Sequence, residues 1–270
     1  MSVNSFIPKV WESRLLHNYK SNSIAGMITT APTEVTGNTV KFNRIGAVDV
    51  NDYDGEVDWS EISTTSVELN LSEKKYFSFV LDDVDAAQSA GELIDDATEE
   101  ASGSLQEKVD QYVLSHYADA HEDNVIGSDE EAVELTVDNT YDKLVDLGTK
   151  LSKKKVPKAD RYVVINHDVL GKLSKDERFT RNYEILENGV VDGASVNGMT
   201  VVVTEETHVE DGVIKVMALH SSAIGLGEQI NEVEAMRLQD KFADGVRGLM
   251  VYGAVVKRPE ALATLNATVE

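Results

Sequence analysis

A single apolar stripe runs through the segment from Asp82 to about His121. Its members recur three or four residues apart, which is the spacing of one helix face: Ile94, Ala97, Ala101, Leu105, Val109, Val113 and Tyr117. Asp82 or Asp83 stands where a side chain can cap the first turn. At about 1.5 Å per residue, a helix over this segment would span about 60 Å. The pattern therefore predicts one long helix.

Strand patterns occupy the chain before this helix. Val67, Leu69 and Leu71 alternate with polar residues, which is the period of a half-buried strand. Residues 49–59, which lie between the strands, are polar and rich in turn-forming types. We predict a long hairpin from about residue 39 to residue 80. Because a two-stranded hairpin is only marginally stable by itself, it needs a partner surface.

Helix and strand patterns alternate after the long helix. We predict a helix over Asn139 to Leu151, a strand over Tyr162 to Asn166, a helix from His167, a strand pair over Gly193 to Thr204, a strand over Val213 to Leu219 and a final long strand over Phe242 to Val256. Glycine is unfavourable inside a strand unless another group approaches closely. We therefore predict that Gly248 and Gly253 have a structural role, at a close contact of the final strand with another element. The whole chain is predicted to be α+β.

Charge and composition exclude several classes of protein. The 270 residues carry a formal net charge of −23, which argues against a protein that binds bare DNA through its surface. There are no cysteines, so disulfides and cysteine metal sites are excluded. Neither a signal peptide nor a membrane span is recognisable, and no membrane partner is expected. We expect the protein to stay in the cytoplasm until it joins something larger.

Candidate chemistry is sparse. Aligned with a calcium EF-hand loop, the segment from 50 to 61 places acidic residues or glycine at five of the expected places, but Val50 occupies the first, which requires a carboxylate. No zinc, nucleophile-elbow or phosphate-loop pattern is present, and Gly225-x-Gly227 lacks the third glycine of a dinucleotide motif. We predict no catalytic residue, no cofactor and no metal. A weak cation site shared with a neighbour, and a calcium-dependent binding module, remain as alternatives.

The order of segments in the last third of the chain resembles a known family. These segments are Gly193 to Val203, Met217 to Leu226 and Asp240 to Ala261. They are similar to those of tailed-phage major capsid proteins, which have the Hong Kong 97 fold. The resemblance implies an N-terminal arm (1–38), an extended loop hairpin with flanking strands (39–80), a peripheral domain with the spine helix (81–135), an axial domain (136–235) and a closing strand of the peripheral domain with a C-terminal tail (236–270). In this family the closing strand packs beside the spine helix, which implies that Gly248 and Gly253 face that helix. His167 stands where the family usually has proline, which leaves that turn type open.

The function that the resemblance implies is self-association. Many copies, as hexamers and pentamers, would form an icosahedral shell around the double-stranded DNA of a tailed bacteriophage, without sequence-specific DNA contacts. Because the resemblance begins almost at Met1, we expect a separate scaffolding protein and a portal, with a decoration protein as an optional further partner. An encapsulin, a nanocompartment shell of the same fold, is the alternative. Assembly is expected in the host cytoplasm.

Inter-subunit contacts are predicted for the arm, the hairpin tip and a basic segment. The arm contributes Trp11, and the tip contributes Asp49, Asp52, Asp54, Asp58, Trp59 and Glu61. The basic candidates to pair with this tip are Arg44, Lys153, Lys154, Lys155 and Lys158. Some relatives join subunits through a lysine–asparagine bond from this loop. Since Lys41 lies at the base of the loop and the tip has no lysine, we predict a non-covalent shell.

Overall fold

The computed structural model describes residues 23–36, 39–45, 64–82, 92–180, 194–238 and 243–269. The α-helices are α1 Ile24–Ile28, α2 Glu92–Leu114, α3 Thr140–Lys153, α4 His167–Leu173 and α5 Glu177–Thr180. Short 3₁₀ helices lie at Ser115–Asp119, Glu122–Asn124 and Pro259–Ala261. The strands are β1 Glu34–Thr36, β2 Thr39–Ile45, β3 Thr64–Asn70, β4 Glu73–Asp82, β5 Val125–Ile126, β6 Val133–Leu135, β7 Arg161–Ile165, β8 Ser195–Val196, β9 Met199–Val203, β10 Val209–Glu210, β11 Val213–His220, β12 Ile224–Arg237, β13 Ala243–Val256 and β14 Leu262–Val269. The predicted α+β class is confirmed.

The described strands form three sheets. The small sheet has the order β1-β2-β3, and the long, narrow sheet has the order β12-β13-β4. The large sheet follows the path β5-β14-β11-β7-β9-β8, with β10 paired to β11 and β6 paired to β14. β7 and β9 run parallel, and α4 lies between them in the chain, so this part of the sheet is a β–α–β unit.

The C-terminal residues are part of the large sheet, which corrects their assignment to a tail. β14 pairs with β11 from Ile214↔Ala267 to Leu219↔Leu262, and with β5 and β6 on its other side. Leu262 and Leu265 are completely buried. A strand that is paired on both edges and covered by the core has no solvated backbone, so these residues are central to the subunit. The five-part domain division itself remains a prediction.

The long helix ends before its apolar stripe does. Within the described residues it extends over Glu92–Leu114, and 23 residues correspond to about 35 Å. Asp82 does not cap this helix, because it is the last residue of β4 and its backbone pairs with Ala243. Asp83 lies outside the described residues. The stripe is buried as predicted at Ala101, Leu105, Val109 and Val113, and Tyr117 belongs to the following 3₁₀ helix.

The two glycines of β13 do not face this helix, which corrects their predicted placement. A Cβ on Gly248 would have Phe77 of β4 as its nearest neighbour, with the ring Cζ at 2.6 Å. A Cβ on Gly253 would lie 3.4 Å from the carbonyl oxygen of Asn70 and from Leu69 of β3. Phe77 lies in β4, which pairs with β13, and Leu69 and Asn70 lie in β3 of the small sheet, so the nearest neighbours of both glycines are strand residues.

Several local predictions agree with the structure. α3, β7, β11 and β13 lie within one or two residues of the predicted bounds. The side chain of Asn166 caps α4 by accepting a hydrogen bond from the backbone N–H of Val169 at 3.0 Å, so His167 simply begins the helix. Asn197 and Gly198 have φ of 50° and 77°, as a two-residue hairpin turn between β8 and β9 requires.

Part of the predicted arm belongs to the body of its own subunit. Ala25 and Ile28 of α1 are buried. Thr30 lies against β12, where its N–H donates to the carbonyl oxygen of Ile224 at 3.0 Å and its carbonyl accepts from the N–H of Leu226 at 3.1 Å. Residues 1–22, which include Trp11, lie outside the described residues.

Candidate inter-subunit surfaces

The base of the predicted hairpin is a pair of strands that packs against the body of the subunit. β2 and β3 pair in antiparallel register from Thr39↔Asn70 to Ile45↔Thr64. Val40 and Phe42 of β2 form a separate small core with Leu71, which directly follows β3, and with Val251 of β13. Each of these four is at most 4% exposed. The hairpin therefore leaves the body of the subunit in a direction that packing determines.

Two glycines of β12 make this close packing possible. A Cβ on Gly225 would lie 2.7 Å from the ring of Phe42, and a Cβ on Gly227 would lie 2.8 Å from Val40 and 2.9 Å from Leu71. All three distances are shorter than van der Waals contact, so only glycine fits at these two positions without a shift of the hairpin. The sequence analysis considered Gly225-x-Gly227 only as a nucleotide motif and missed this role. The signal was a pair of glycines spaced by two, which places both on one face of a strand.

Charged groups lie on both faces of the hairpin base. The Nζ of Lys41 lies 3.1 Å from a carboxylate oxygen of Glu68, its cross-strand partner, and this hydrogen bond raises the pKa of Lys41. Lys257 lies over the ring of Phe42, with Nζ 4.9 Å from the centroid. Burial lowers the pKa of Lys257, and Arg258 adds to this effect. Lys41 is therefore at the base of the hairpin, as the sequence analysis predicts.

The tip of the hairpin lies outside the described residues. The predicted contact residues Asp49, Asp52, Asp54, Asp58, Trp59 and Glu61 belong to that segment. Arg44 is in β2, where its backbone pairs with Thr65. No group of three metal-ligating side chains occurs in the described part of the chain. Nor does that part contain a helix that is long and apolar enough to cross a membrane.

The outward face of the long sheet exposes apolar side chains. We define this outward face by Tyr76 and Val80 of β4, Leu249 of β13 and Met236 of β12; Tyr76 is 77% exposed and Val80 is 54% exposed. Tyr76 and Leu249 are cross-strand partners. At the centre of the face, Arg247 donates to Glu234 at 2.5 Å. An apolar surface with one central ion pair is typical of a site that another protein surface covers.

The basic segment is anchored from inside by a buried arginine. Arg161 is 3% exposed, and its guanidinium donates to the carbonyl oxygens of Pro157 at 2.7 Å, Val156 at 2.5 Å and Gly148 at 3.3 Å, and to the hydroxyl of Ser152 at 2.9 Å. The loop that follows α3 is therefore held in one conformation. Lys155, in this loop, has a positive φ of 58°.

The four predicted lysines of this segment divide into two groups. Lys153, Lys155 and Lys158 are exposed, and none of them forms an ion pair within the part of the chain that is described. Lys154 is half-buried, and its Nζ lies 2.5 Å from a carboxylate oxygen of Asp123. The hydrogen bond from Lys154 lowers the pKa of Asp123. Lys154 thus has a partner in its own subunit, and the inter-subunit role of all four lysines remains a prediction.

Comparison with known proteins gives a consistent result. A family model described as "Phage capsid protein" matches residues 25–269. A search of curated protein sequences gives no significant match. A chain of a structure from Mycobacterium phage Che8 is 28% identical with a TM-score of 0.64, over 86% of this chain and 85% of that chain.

More distant structures share the fold. The capsid structure of the cyanophage P-SCSP1u has a TM-score of 0.69 at 16% identity, over 92% of this chain and 89% of that chain. The holo-SrpI encapsulin complex from Synechococcus elongatus PCC 7942 has a TM-score of 0.53 at 12% identity, over 89% of this chain and 85% of that chain. At these identities the similarity is one of fold alone.

Proposed function

Because the chain belongs to the phage capsid protein family, we propose that it is the major capsid protein of a tailed bacteriophage, and that many copies assemble into an icosahedral shell around double-stranded DNA. The observation that carries this proposal is the family match from residue 25 to residue 269, which includes the hairpin base, the long helix and all three sheets. The fold is of the Hong Kong 97 type. The family is structural, so the chain is not an enzyme.

The proposed mechanism is association through two exposed features. The hairpin base is rigid, which reduces the conformational entropy that the hairpin loses when it contacts another copy. The outward face, with the cross-strand pair Tyr76 and Leu249 beside its central ion pair, is covered by another copy of this chain in the shell. Repetition of both contacts in hexamers and pentamers supplies the buried area that a stable assembly needs.

The negative net charge of the subunit supports a shell that encloses DNA without binding it. With a net charge of −23, the subunit surface repels nucleic acid, so the shell encloses DNA without sequence-specific contacts. Assembly in the host cytoplasm with a scaffolding protein and a portal, and with room for a decoration protein, belongs to the same proposal. The acidic residues 49–61 pair with the exposed lysines Lys153, Lys155 and Lys158 of another copy. A weak cation site at that acidic segment, shared with a neighbouring copy, would assist assembly and is part of the proposal only in that role.

A nanocompartment shell is the main alternative. An encapsulin has the same fold, but its 12% identity is well below the 28% of the phage Che8 chain. A calcium-dependent binding module has no support from the family match. The phage shell therefore remains the proposed function.

Electron microscopy of the purified full-length protein tests the proposal. We expect closed shells or separate hexamers and pentamers, in the presence of co-expressed scaffolding protein if the chain alone does not assemble. Nucleic acid analysis of particles from an infected host distinguishes the two shells, since a phage capsid contains a genome and a nanocompartment contains an enzyme. A protein that stays monomeric under all of these conditions would refute the proposal.

A further inference from the structure

A buried carboxylate joins the long helix to the segment that follows residues 1–22. Asp110 of α2 is 5% exposed. It accepts a hydrogen bond from the backbone N–H of Ala25 at 2.7 Å, and the backbone of Ile24 also donates to it. This contact connects residues that are 85 positions apart in the chain. It stands beside the buried side chains of Ala25 and Ile28, so one ionisable group contributes to holding α1 on α2. The backbone of Thr30, at the other end of this segment, is bound separately to β12.

The surroundings of Asp110 contain like charges and no opposite charge from α1. The helix α1 has the sequence Ile-Ala-Gly-Met-Ile, which has no titratable side chain. Glu206, in the turn before β10, and Glu228, in β12, both raise the pKa of Asp110. The adjacent residues of α2, Glu107 and Lys108, are exposed.

Burial is the main reason that the pKa of Asp110 is raised from 3.8 to about 6, and the two backbone N–H groups only partly oppose it. An undocked α1 would return this carboxyl to water and to its ordinary pKa. The docked state therefore binds a proton more tightly than the undocked state does.

We infer that Asp110 is a proton-operated latch, which holds residues 24–30 on the long helix when its carboxyl is protonated and loosens them when it is ionised. Since the pKa is higher in the docked state, the stabilisation is fully present below about pH 4 and is lost as the pH rises through about 6. Acid thus tightens the attachment of the arm, whereas acid normally weakens contacts made by carboxylates. The inference concerns one subunit and holds whether or not shells form.

Hydrogen exchange of the full-length protein, followed by mass spectrometry of peptides that cover residues 24–30, tests the latch. The measured quantity is the equilibrium constant for opening, which is the detachment of residues 24–30 from α2, corrected for the intrinsic pH dependence of exchange. A peptide from β11 reports any global change. In the wild type we expect opening to increase by roughly tenfold for each pH unit between about pH 4 and pH 6, and then to level off. In Asp110→Asn, which keeps an acceptor oxygen but cannot ionise, we expect opening to be independent of pH.

A second variant keeps the inference testable if Asp110→Asn does not fold. Glu206→Gln removes one like charge and lowers the docked pKa, so the opening should level off at a lower pH while its rise still begins near pH 4. The inference is overturned if the wild type and Asp110→Asn have the same pH profile, or if opening of the wild type decreases as the pH rises. An unmoved profile in Glu206→Gln also contradicts it.

Discussion

The ring of Phe42 lies so close to Gly225 that a Cβ on residue 225 would be 2.7 Å from its Cε1 and Cζ atoms. Phe42 is 2% exposed and belongs to the small core of the hairpin base, so a displacement of its ring disturbs that core. This pair joins the hairpin base to β12 and determines how the hairpin leaves the subunit.

Gly225→Ala should therefore destabilise the subunit. The added methyl group overpacks the small core of the hairpin base, which costs about 1–3 kcal/mol. Urea denaturation of the unassembled subunit measures the loss. Gly103→Ala in α2 is the matched control, because nothing lies within 4 Å of its Cβ position, and it should stabilise the helix by up to about 1 kcal/mol. Equal midpoints for Gly225→Ala and the wild type would contradict the packing argument.

The two glycines of β13 should differ in their tolerance of alanine. At Gly248 the new Cβ meets the ring of Phe77, so Gly248→Ala must move that ring away from its stacking contact with Phe79. At Gly253 the nearest atoms are at 3.4 Å, an ordinary contact, so Gly253→Ala should change the melting temperature little. We expect Gly248→Ala to lose about 1–2 kcal/mol. The reverse order of stabilities would show that the neighbours are wrongly identified.

Deletion of residues 48–61 should separate folding from assembly. The hairpin base has its own core, so the shortened subunit should fold with nearly unchanged stability. Without the tip it should not form shells, which electron microscopy and size-exclusion chromatography can detect. Normal particles from this deletion would refute an inter-subunit role for the tip.

Reversal of the exposed lysines should slow assembly. Lys153→Glu, Lys155→Glu and Lys158→Glu together place like charges opposite the acidic segment of another copy. Exposed pairs contribute only about 0–1 kcal/mol each, but the shell repeats them, so the assembly rate should fall most at low salt. Lys175→Glu, another exposed lysine, is the control and should have little effect. An assembly rate that does not change at any salt concentration would count against the pairing.

Arg161→Lys should destabilise the subunit although the charge is kept. A lysine ammonium cannot reach the oxygens that the guanidinium binds on several sides, which leaves buried carbonyl groups without donors. We expect a loss of about 1–3 kcal/mol in thermal or urea unfolding. Arg247→Lys, at an exposed ion pair, is the matched control and should stay within about 1 kcal/mol of the wild type. Similar losses at both positions would argue against the special role of Arg161.

Elements with a strong local pattern were predictable from the sequence. The spacing of apolar residues placed α3 and the buried part of α2, and continuous apolar runs placed β7 and β11, because burial on one face or both leaves a periodic trace in the chain. Asn197-Gly198 specified a tight turn, since both residues tolerate positive φ. The order of such segments was enough to indicate the family.

Only the tertiary structure decided which segments meet. Leu262–Val269 has no pattern that distinguishes a tail from a central strand, and its burial arises from β11 on one edge and β5 and β6 on the other. The end of β4 depended on how far this strand pairs with β13, and the role of Gly225 depended on an aromatic ring 183 positions earlier in the chain, at Phe42. Strand pairing and close packing are contacts between distant residues, and local sequence patterns do not encode the partner.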